Sequence, residues 1–307
     1  MTPGTRTALG AAAIAGVAAL AYARTEAAAY RLRRVEVDVL PDGQPDLRIL
    51  HLSDLHMTPR RHRLQDWVAA LAELRPDLVV TTGDFLAHRE AVDPVLTALG
   101  PLLSTPGAFV LGSNDYFAPR PINPFAYFAG PSDLHPDRPE LPWPDLVARL
   151  VDAGWVHLPN ERTTIEAGGR LLDVRGVDDP HIERDDYAPI AGSPDPGADL
   201  AIGIAHAPYL RILDAMAGDG VDLALAGHTH GGQVRVPGVG ALVTNCDLHR
   251  SRARGLSPHP RPLMEFAPHD APDMALHVSA GLGTSPYAPI RFACPPEATL
   301  LTLVARG

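Results

Sequence analysis

Seven residues of this chain have the chemistry to hold metal ions: Asp54, His56, Asp84, Asn114, His206, His228 and His230. They follow apolar runs and cluster most densely in Gly227-His228-Thr229-His230-Gly231-Gly232-Gln233, directly after the apolar run 221–226. On a strand, side chains one residue apart leave the same face. The spacing therefore predicts that both imidazoles reach one small volume at a strand end. Glycines on either side let backbone and ligand approach closely. A His-x-His pair alone proves little, because polar residues at strand exits look the same. Asp and Asn are also common turn residues for local hydrogen-bonding reasons. Carboxylate, carboxamide and imidazole at five strand ends are harder to explain that way, since open α/β sheets bind ligands at that edge. Seven donors are too many for one tetrahedral zinc. They suit two divalent ions sharing a carboxylate, which clamp a phosphoryl group and activate water at neutral pH. Mixed nitrogen and oxygen donors without thiolates point to Mn, Fe, Zn or Co, ahead of Mg and Ca.

The elements that must position these donors read as alternating α/β from about Val35. Strands are expected at 47–52, 77–82 and 107–111, each ending at a donor, with helices at 64–71 and about 90–103 between them. A proline- and aromatic-rich loop or lid is expected at 117–144, then a short helix at 145–153. Further strands are expected at 170–177, 200–205, 221–226, 233–236, 275–279 and 298–304. The acidic cluster of Asp178, Asp179 and 183–186 reads as a solvated loop. His51 and His88 are additional candidates, with strand and loop placements as the plainer readings. Arg291 suits either an anionic substrate or a structural ion pair.

Composition narrows the function. The chain has 307 residues, 46% hydrophobic, with a formal net charge of −10. An acidic chain gains no counterion-release affinity for nucleic acid, so no nucleic-acid partner is expected. Cys246 and Cys294 lack Cys-x-x-Cys spacing, which argues against a thiolate zinc site; they read as a pair or as two separate thiols. Residues 7–23 carry no charge and are rich in alanine. As a helix they span ~26 Å, a little short of the ~30 Å hydrocarbon core. A weak membrane anchor, a cleaved signal peptide and a helix packed on the domain all fit this stretch. Arg24, Arg31, Arg33 and Arg34 follow it and oppose the signal-peptide reading. The expected division is a membrane-associating segment at 1–34 and one domain at 35–307, with the side of the membrane open.

The ordered set Asp54-x-His56, Gly83-Asp84, Gly112-Ser113-Asn114-Asp115, His206 and Gly227-His228-x-His230 resembles the calcineurin-like metallophosphoesterase family. The Gly-His-Thr-His-Gly-Gly-Gln form is similar to the bacterial branch of YkuE- and YaeI-type phosphoesterases. Ser279–Ser285 and Pro289-Ile290-Arg291-Phe292 resemble that branch's C-terminal end. The resemblance implies an α/β four-layer sandwich, two mixed β-sheets flanked by helices. It implies Asp54, His56 and His230 on a first metal, Asp84 as the bridge, and Asn114, His206 and His228 on a second. It also implies in-line attack on a phosphomonoester or phosphodiester by a hydroxide shared between the ions. The substrate would be a small-molecule or lipid-linked phosphate ester.

One motif departs from the family. The usual Gly-Asn-His-Asp/Glu is here Gly112-Ser113-Asn114-Asp115. Without a gap, Ser113 takes the ligand position; with a one-residue shift, Asn114 keeps it. The shift is favoured because a carboxamide oxygen is the better ligand. Either way the histidine that assists the departing oxygen is missing. Asp84, Asn114 and Asp115 are therefore the expected catalytic residues, with Asp115 a substitute acid only if protonated. The alternative is a regulatory or scaffold protein of the same fold that binds metal with weakened turnover.

Overall fold

The computed structural model describes residues 3–121, 138–262 and 272–306. Its strands are β1 (Arg31–Leu40), β2 (Leu47–Leu52), β3 (Leu78–Thr82), β4 (Gly107–Val110), β5 (Val156–His157), β6 (Glu161–Ala167), β7 (Arg170–Gly176), β8 (Leu200–Ala205), β9 (Leu223–Ala226), β10 (Arg235–Val236), β11 (Gly240–Ala241), β12 (Gly255–His259), β13 (Met274–Val278) and β14 (Glu297–Ala305). One six-stranded sheet has the order β1-β14-β2-β3-β4-β5 and a second the order β12-β13-β9-β8-β7-β6. Both are mixed. β2, β3 and β4 run parallel while β14 opposes β2. β7, β8, β9 and β13 run parallel while β6 and β12 oppose their neighbours.

Alternation along the strands assigns the layers. Ile49, Val80 and Val110 of the first sheet meet Val174, Ile202 and Leu225 of the second in a core between them. Leu50, Leu52 and Val79 point the other way. They pack under α2 (His62–Ala70), α3 (Val92–Leu99) and α5 (Trp143–Asp152), whose apolar stripes include Leu64, Val95 and Leu146; the short α4 (Ser113–Tyr116) follows β4. α6 (Leu210–Gly218) covers the outer face of the second sheet through Ile212, Leu213 and Met216. The result is the expected four layers, helices on two facing mixed sheets.

The N-terminal segment forms the helix α1 (Pro3–Glu26). Residues 11–22 are exposed, including Ile14, Val17 and Leu20, and contact with the domain begins where the Tyr22 ring meets Phe292 edge-on at 5.4 Å, followed by the buried Ala23 and Glu26. Among the described residues no helix is long and apolar enough to cross a membrane. β1 begins at Arg31 and pairs with β14, so the boundary expected at 34/35 falls inside a strand. Cys246 and Cys294 are both free thiols. Much of the expected lid lies outside the described residues; Phe117 pairs with Glu140 across its base.

Candidate metal centre

The parallel strands of both sheets end at one edge, and the donors sit there. Asp54 and His56 follow β2, Asp84 follows β3, Asn114 lies beyond β4, His206 follows β8, and His228 and His230 follow β9. Backbone bonds tie these exits together. Asp54 N–H donates to the Gly83 carbonyl (2.9 Å), His56 N–H to the Asp84 carbonyl (2.8 Å), and Gly227 N–H to the His206 carbonyl (2.8 Å). Asp54, His56, Asp84, His228 and His230 all have positive φ, between 42° and 68°. Such conformations cost roughly 1–2 kcal/mol each and persist where the surroundings over-determine them.

Asp54, His56, Asp84 and His230 each offer a donor atom, all within 4.8 Å of one another. Asp84 Oδ2 lies 3.4 Å from His56 Nε2 and 3.6 Å from His206 Nε2. His206 Nε2 is in turn 3.3 Å from His228 Nδ1. The Asp84 carboxylate thus stands between one group of Asp54, His56 and His230 and another of Asn114, His206 and His228. The partners behind the rings fix their aim. His206 Nδ1 is 2.6 Å from the Thr82 carbonyl, which only accepts, so a proton sits on Nδ1 and Nε2 is the atom turned toward Asp84. His228 Nε2 is anchored 3.1 Å from the Asn245 carbonyl, leaving Nδ1 toward the site.

The electrostatics suit a cation. Asp54, Asp84 and Asp179 are almost completely buried, and Asp179 Oδ2 and His56 Nδ1 have no hydrogen-bond partner among the described residues. Burial pushes Asp54 up to about 6. Burial pushes Asp84 the same way, but His206, His56 and Asn114 outweigh it and hold the carboxyl well below its usual range. Burial opposes protonation of His206, yet Asp84, Asp179 and Asp54 raise it to about 9. Burial lowers His56 to about 4 and holds His228 and His230 well below 6.5, so these rings are neutral and their lone pairs available. Three buried carboxylates facing mostly neutral imidazoles are costly without further positive charge, and these donors match divalent transition metals.

Several sequence-based expectations need correction. His228 and His230 do not share a strand face. The chain leaves β9 at Ala226 and turns through left-handed residues, so His228 meets His206 while His230 meets His56, 3.1 Å away. Asn114, rather than Ser113, meets the shared carboxylate: its N–H donates to Asp84 Oδ1 and its Nδ2 to Oδ2, both at 2.8 Å. Its Oδ1 is turned to Arg138 Nη2 (3.0 Å), so ligation through oxygen requires the amide to turn over. Asp115 does not face the other donors as a free acid. Its two oxygens accept the Leu86 and Gly112 N–H groups at 2.9 and 3.0 Å, which holds the turn that presents Asn114. Burial raises Asp115 to about 8, while those two donors favour the ionised form. Arg291 has no ion-pair partner among the described residues, and its Nη2 lies 3.2 Å from His230 Nδ1. It is buried and donates to the Gly281 and Gly283 carbonyls beside His230. Asp178 and Asp179 are buried rather than solvated, because Tyr116 and Arg184 close over Asp178. His88 is exposed.

Some neighbours carry no sequence signal. Arg138 reaches Asn114 from across the base of the proline-rich excursion. The His181 ring lies 4.4 Å from that of His228, and its Nδ1 is 3.1 Å from the Tyr209 hydroxyl. Asp179 lies three residues beyond β7, whose Arg170, Asp173 and Arg175 interrupt the apolar run that marks the other strand ends.

Two mixed sheets with carboxylate, carboxamide and imidazole gathered at one edge define a metallophosphoesterase. The chain belongs to the family described as Calcineurin-like phosphoesterase, whose profile matches residues 47–232. It is similar to the uncharacterized metallophosphoesterase YkoQ of Bacillus subtilis, 29% identical over 266 residues that cover 84% of this chain and 85% of that one. It is also similar to the phosphodiesterase YaeI of Escherichia coli, 28% identical over 283 residues, covering 90% and 88%. A 5'-nucleotidase precursor from Thermus thermophilus aligns over 85% of this chain and 55% of its own, with 12% identity and a TM-score of 0.44.

Proposed function

We propose that the protein hydrolyses a phosphomonoester or phosphodiester with two divalent transition-metal ions, Mn, Fe, Zn or Co. Asp54, His56 and His230 would hold one, Asn114, His206 and His228 the other, and Asp84 both. The observation that carries this reading is the position of Asp84 Oδ2, within 3.6 Å of imidazoles from both groups. Strain concentrated at five of the seven donors supports it further. When bound, such ions polarise the phosphoryl group and supply activated water.

The chain's own residues do the rest. Asp84 keeps the two donor groups in register. The Thr82 carbonyl keeps a proton at His206 Nδ1, so that Nε2 is the atom a metal would take. Arg138 places a fixed positive charge beside Asn114, where negative charge gathers as a phosphoryl group is transferred. With the motif histidine missing and Asp115 committed to backbone, departing oxygens receive little proton assistance. Esters with good leaving groups are therefore the favoured substrates, since a positioned acid is worth ~10²–10⁴ in rate.

Exposed Ile14, Val17 and Leu20 on α1 support a membrane-associated location and a lipid-linked substrate. The altered motif supports a second reading, a metal-binding scaffold with weak turnover. A metal-screened hydrolysis panel of nucleotides, phospholipids and nitrophenyl mono- and diesters separates the two. Metal-dependent turnover on any of them is expected; none with Mn, Fe, Zn or Co rejects the enzyme.

A further inference from the structure

Beneath Asp54 a buried row of hydrogen bonds joins the two sheets. Ser53 Oγ lies 2.6 Å from Asp54 Oδ2, and Thr82 Oγ1 lies 2.7 Å from Ser53 Oγ. His51 Nε2 is 3.1 Å from Thr82 Oγ1, and His51 Nδ1 is 2.9 Å from His277 Nδ1. His51 and Thr82 belong to the first sheet and His277 to the second. All five residues are at 0% exposure, so no water competes for these bonds.

The direction of every proton follows from counting donors. An ionised carboxylate only accepts, so Ser53 donates to Asp54. The single Ser53 proton is then spent, so Ser53 accepts from Thr82. Thr82, its proton also spent, accepts from His51 Nε2–H. Burial keeps both imidazoles neutral, with His277 lowered to about 4. A neutral His51 with its proton on Nε2 has a bare Nδ1, so His277 donates from its own Nδ1. That leaves His277 Nε2 bare, and this atom is buried without a hydrogen-bond partner among the described residues. The row ends there, so it provides no exit for a proton. It points four donors one way, and bonds in such a chain reinforce one another.

Gly227 gives independent support. A Cβ at this position would collide with Ser53 Oγ and come within 2.8 Å of Asp54 Oδ2 and 2.9 Å of Thr82 Oγ1. The glycine that opens Gly-His-Thr-His is therefore required by the row itself, and not only by the two histidines after it.

We infer that the His277–His51–Thr82–Ser53 row is a positioning device that fixes Asp54 Oδ2, leaves Oδ1 turned to His230, and thereby sets metal affinity at the first position. Asp54 Oδ1 lies 3.6 Å from His230 Nε2, as this requires. His51 and His277 act through other groups. The inference rests on the proposed role of Asp54 as a ligand.

Two measurements test it, one of them without metal. In the metal-free full-length protein at pH 8, two-bond ¹⁵N–¹H spectra should show His51 protonated at Nε2 and His277 at Nδ1. The reverse pattern for either ring overturns the row. Mn²⁺ affinity, measured by chelator competition, is then compared in His277→Asn and His277→Leu. Asparagine keeps an N–H where Nδ1 stands; leucine keeps bulk alone. The leucine variant should bind the first ion ~10–100-fold more weakly, the range seen for partners that orient metal ligands, and the asparagine variant should stay close to wild type. Equal affinity in all three proteins overturns the inference. So does equal loss in both variants. Asp54→Asn is the control: unchanged Mn²⁺ binding there removes the ligand assignment, whatever the spectra show for the row.

Discussion

Asp84→Asn exchanges the carboxylate that stands between the two donor groups for a neutral amide of the same shape. Asp84 Oδ2 is 3.4 Å from His56 Nε2 and 3.6 Å from His206 Nε2, so the lost charge is felt on both sides. Unit charges about 4 Å apart interact by ~4 kcal/mol at an effective dielectric of ~20, and a divalent ion doubles this to ~8 kcal/mol. If rearranged ligands and solvent recover two-thirds of that, roughly 2.7 kcal/mol is lost per ion, about a hundredfold in affinity. Asp54→Asn is the matched comparison. Its Oδ1 lies 3.6 Å from His230 Nε2, in one group only, so it should weaken mainly one ion. The assay is metal content at fixed free Mn²⁺, measured by elemental analysis, together with turnover of bis-nitrophenyl phosphate. Asp84→Asn should lose both ions and at least a hundredfold in rate. If it retains two ions and wild-type turnover, the shared-carboxylate reasoning is wrong.

Asp115→Asn turns an amide NH₂ toward a backbone donor. It should cost ~1–3 kcal/mol and lower Tm by ~2–4 °C per kcal/mol, with rate effects uniform across a leaving-group series; selective loss on poor leaving groups would restore Asp115 as an acid. Burial holds His157 and His277 down to about 4, whereas an unfolded imidazole titrates near 6.5. Below 6.5 the unfolded chain takes up protons that the folded chain refuses. The contribution of each ring is therefore full above about 6.5 and falls toward pH 4, by roughly 3 kcal/mol. Urea titrations in chelator at pH 7 and pH 5 isolate it by comparing wild type with His157→Gln, which should lose less stability between the two; an identical change in both proteins contradicts the burial of His157. Deleting residues 1–20 should leave Tm unchanged, because contact with the domain begins at Tyr22, and should abolish sedimentation with anionic vesicles. Equal sedimentation of both forms argues against α1 as the membrane contact.

The donors were legible because the strands that carry them are. Apolar runs stopping abruptly at Asp54, Asp84, His206 and His228 mark buried parallel strands whose ends share an edge. What the sequence hides is set by contacts between distant segments. The His-x-His pair suggested a shared strand face, but positive φ at His228 and His230 sends the rings to different groups. Asp178 and Asp179 carry charge and so read as solvated; both are buried, Asp178 beneath the approach of Tyr116 and Arg184. Arg138 has no local pattern, and its meeting with Asn114 depends on how the chain returns to Phe117 and Ala118. β6 went unread because its burial alternates weakly along a sheet edge. His51 looked like an ordinary strand residue, and nothing local shows that its partner is His277 on the opposite sheet.

The central claim is that one carboxylate organises a pair of cations. A crystal grown with Mn²⁺ and measured at the manganese absorption edge tests this most directly. Two anomalous peaks flanking Asp84, ~3.5–4 Å apart, are expected. A single peak, or none within coordinating distance of the Asp84 carboxylate, would contradict it.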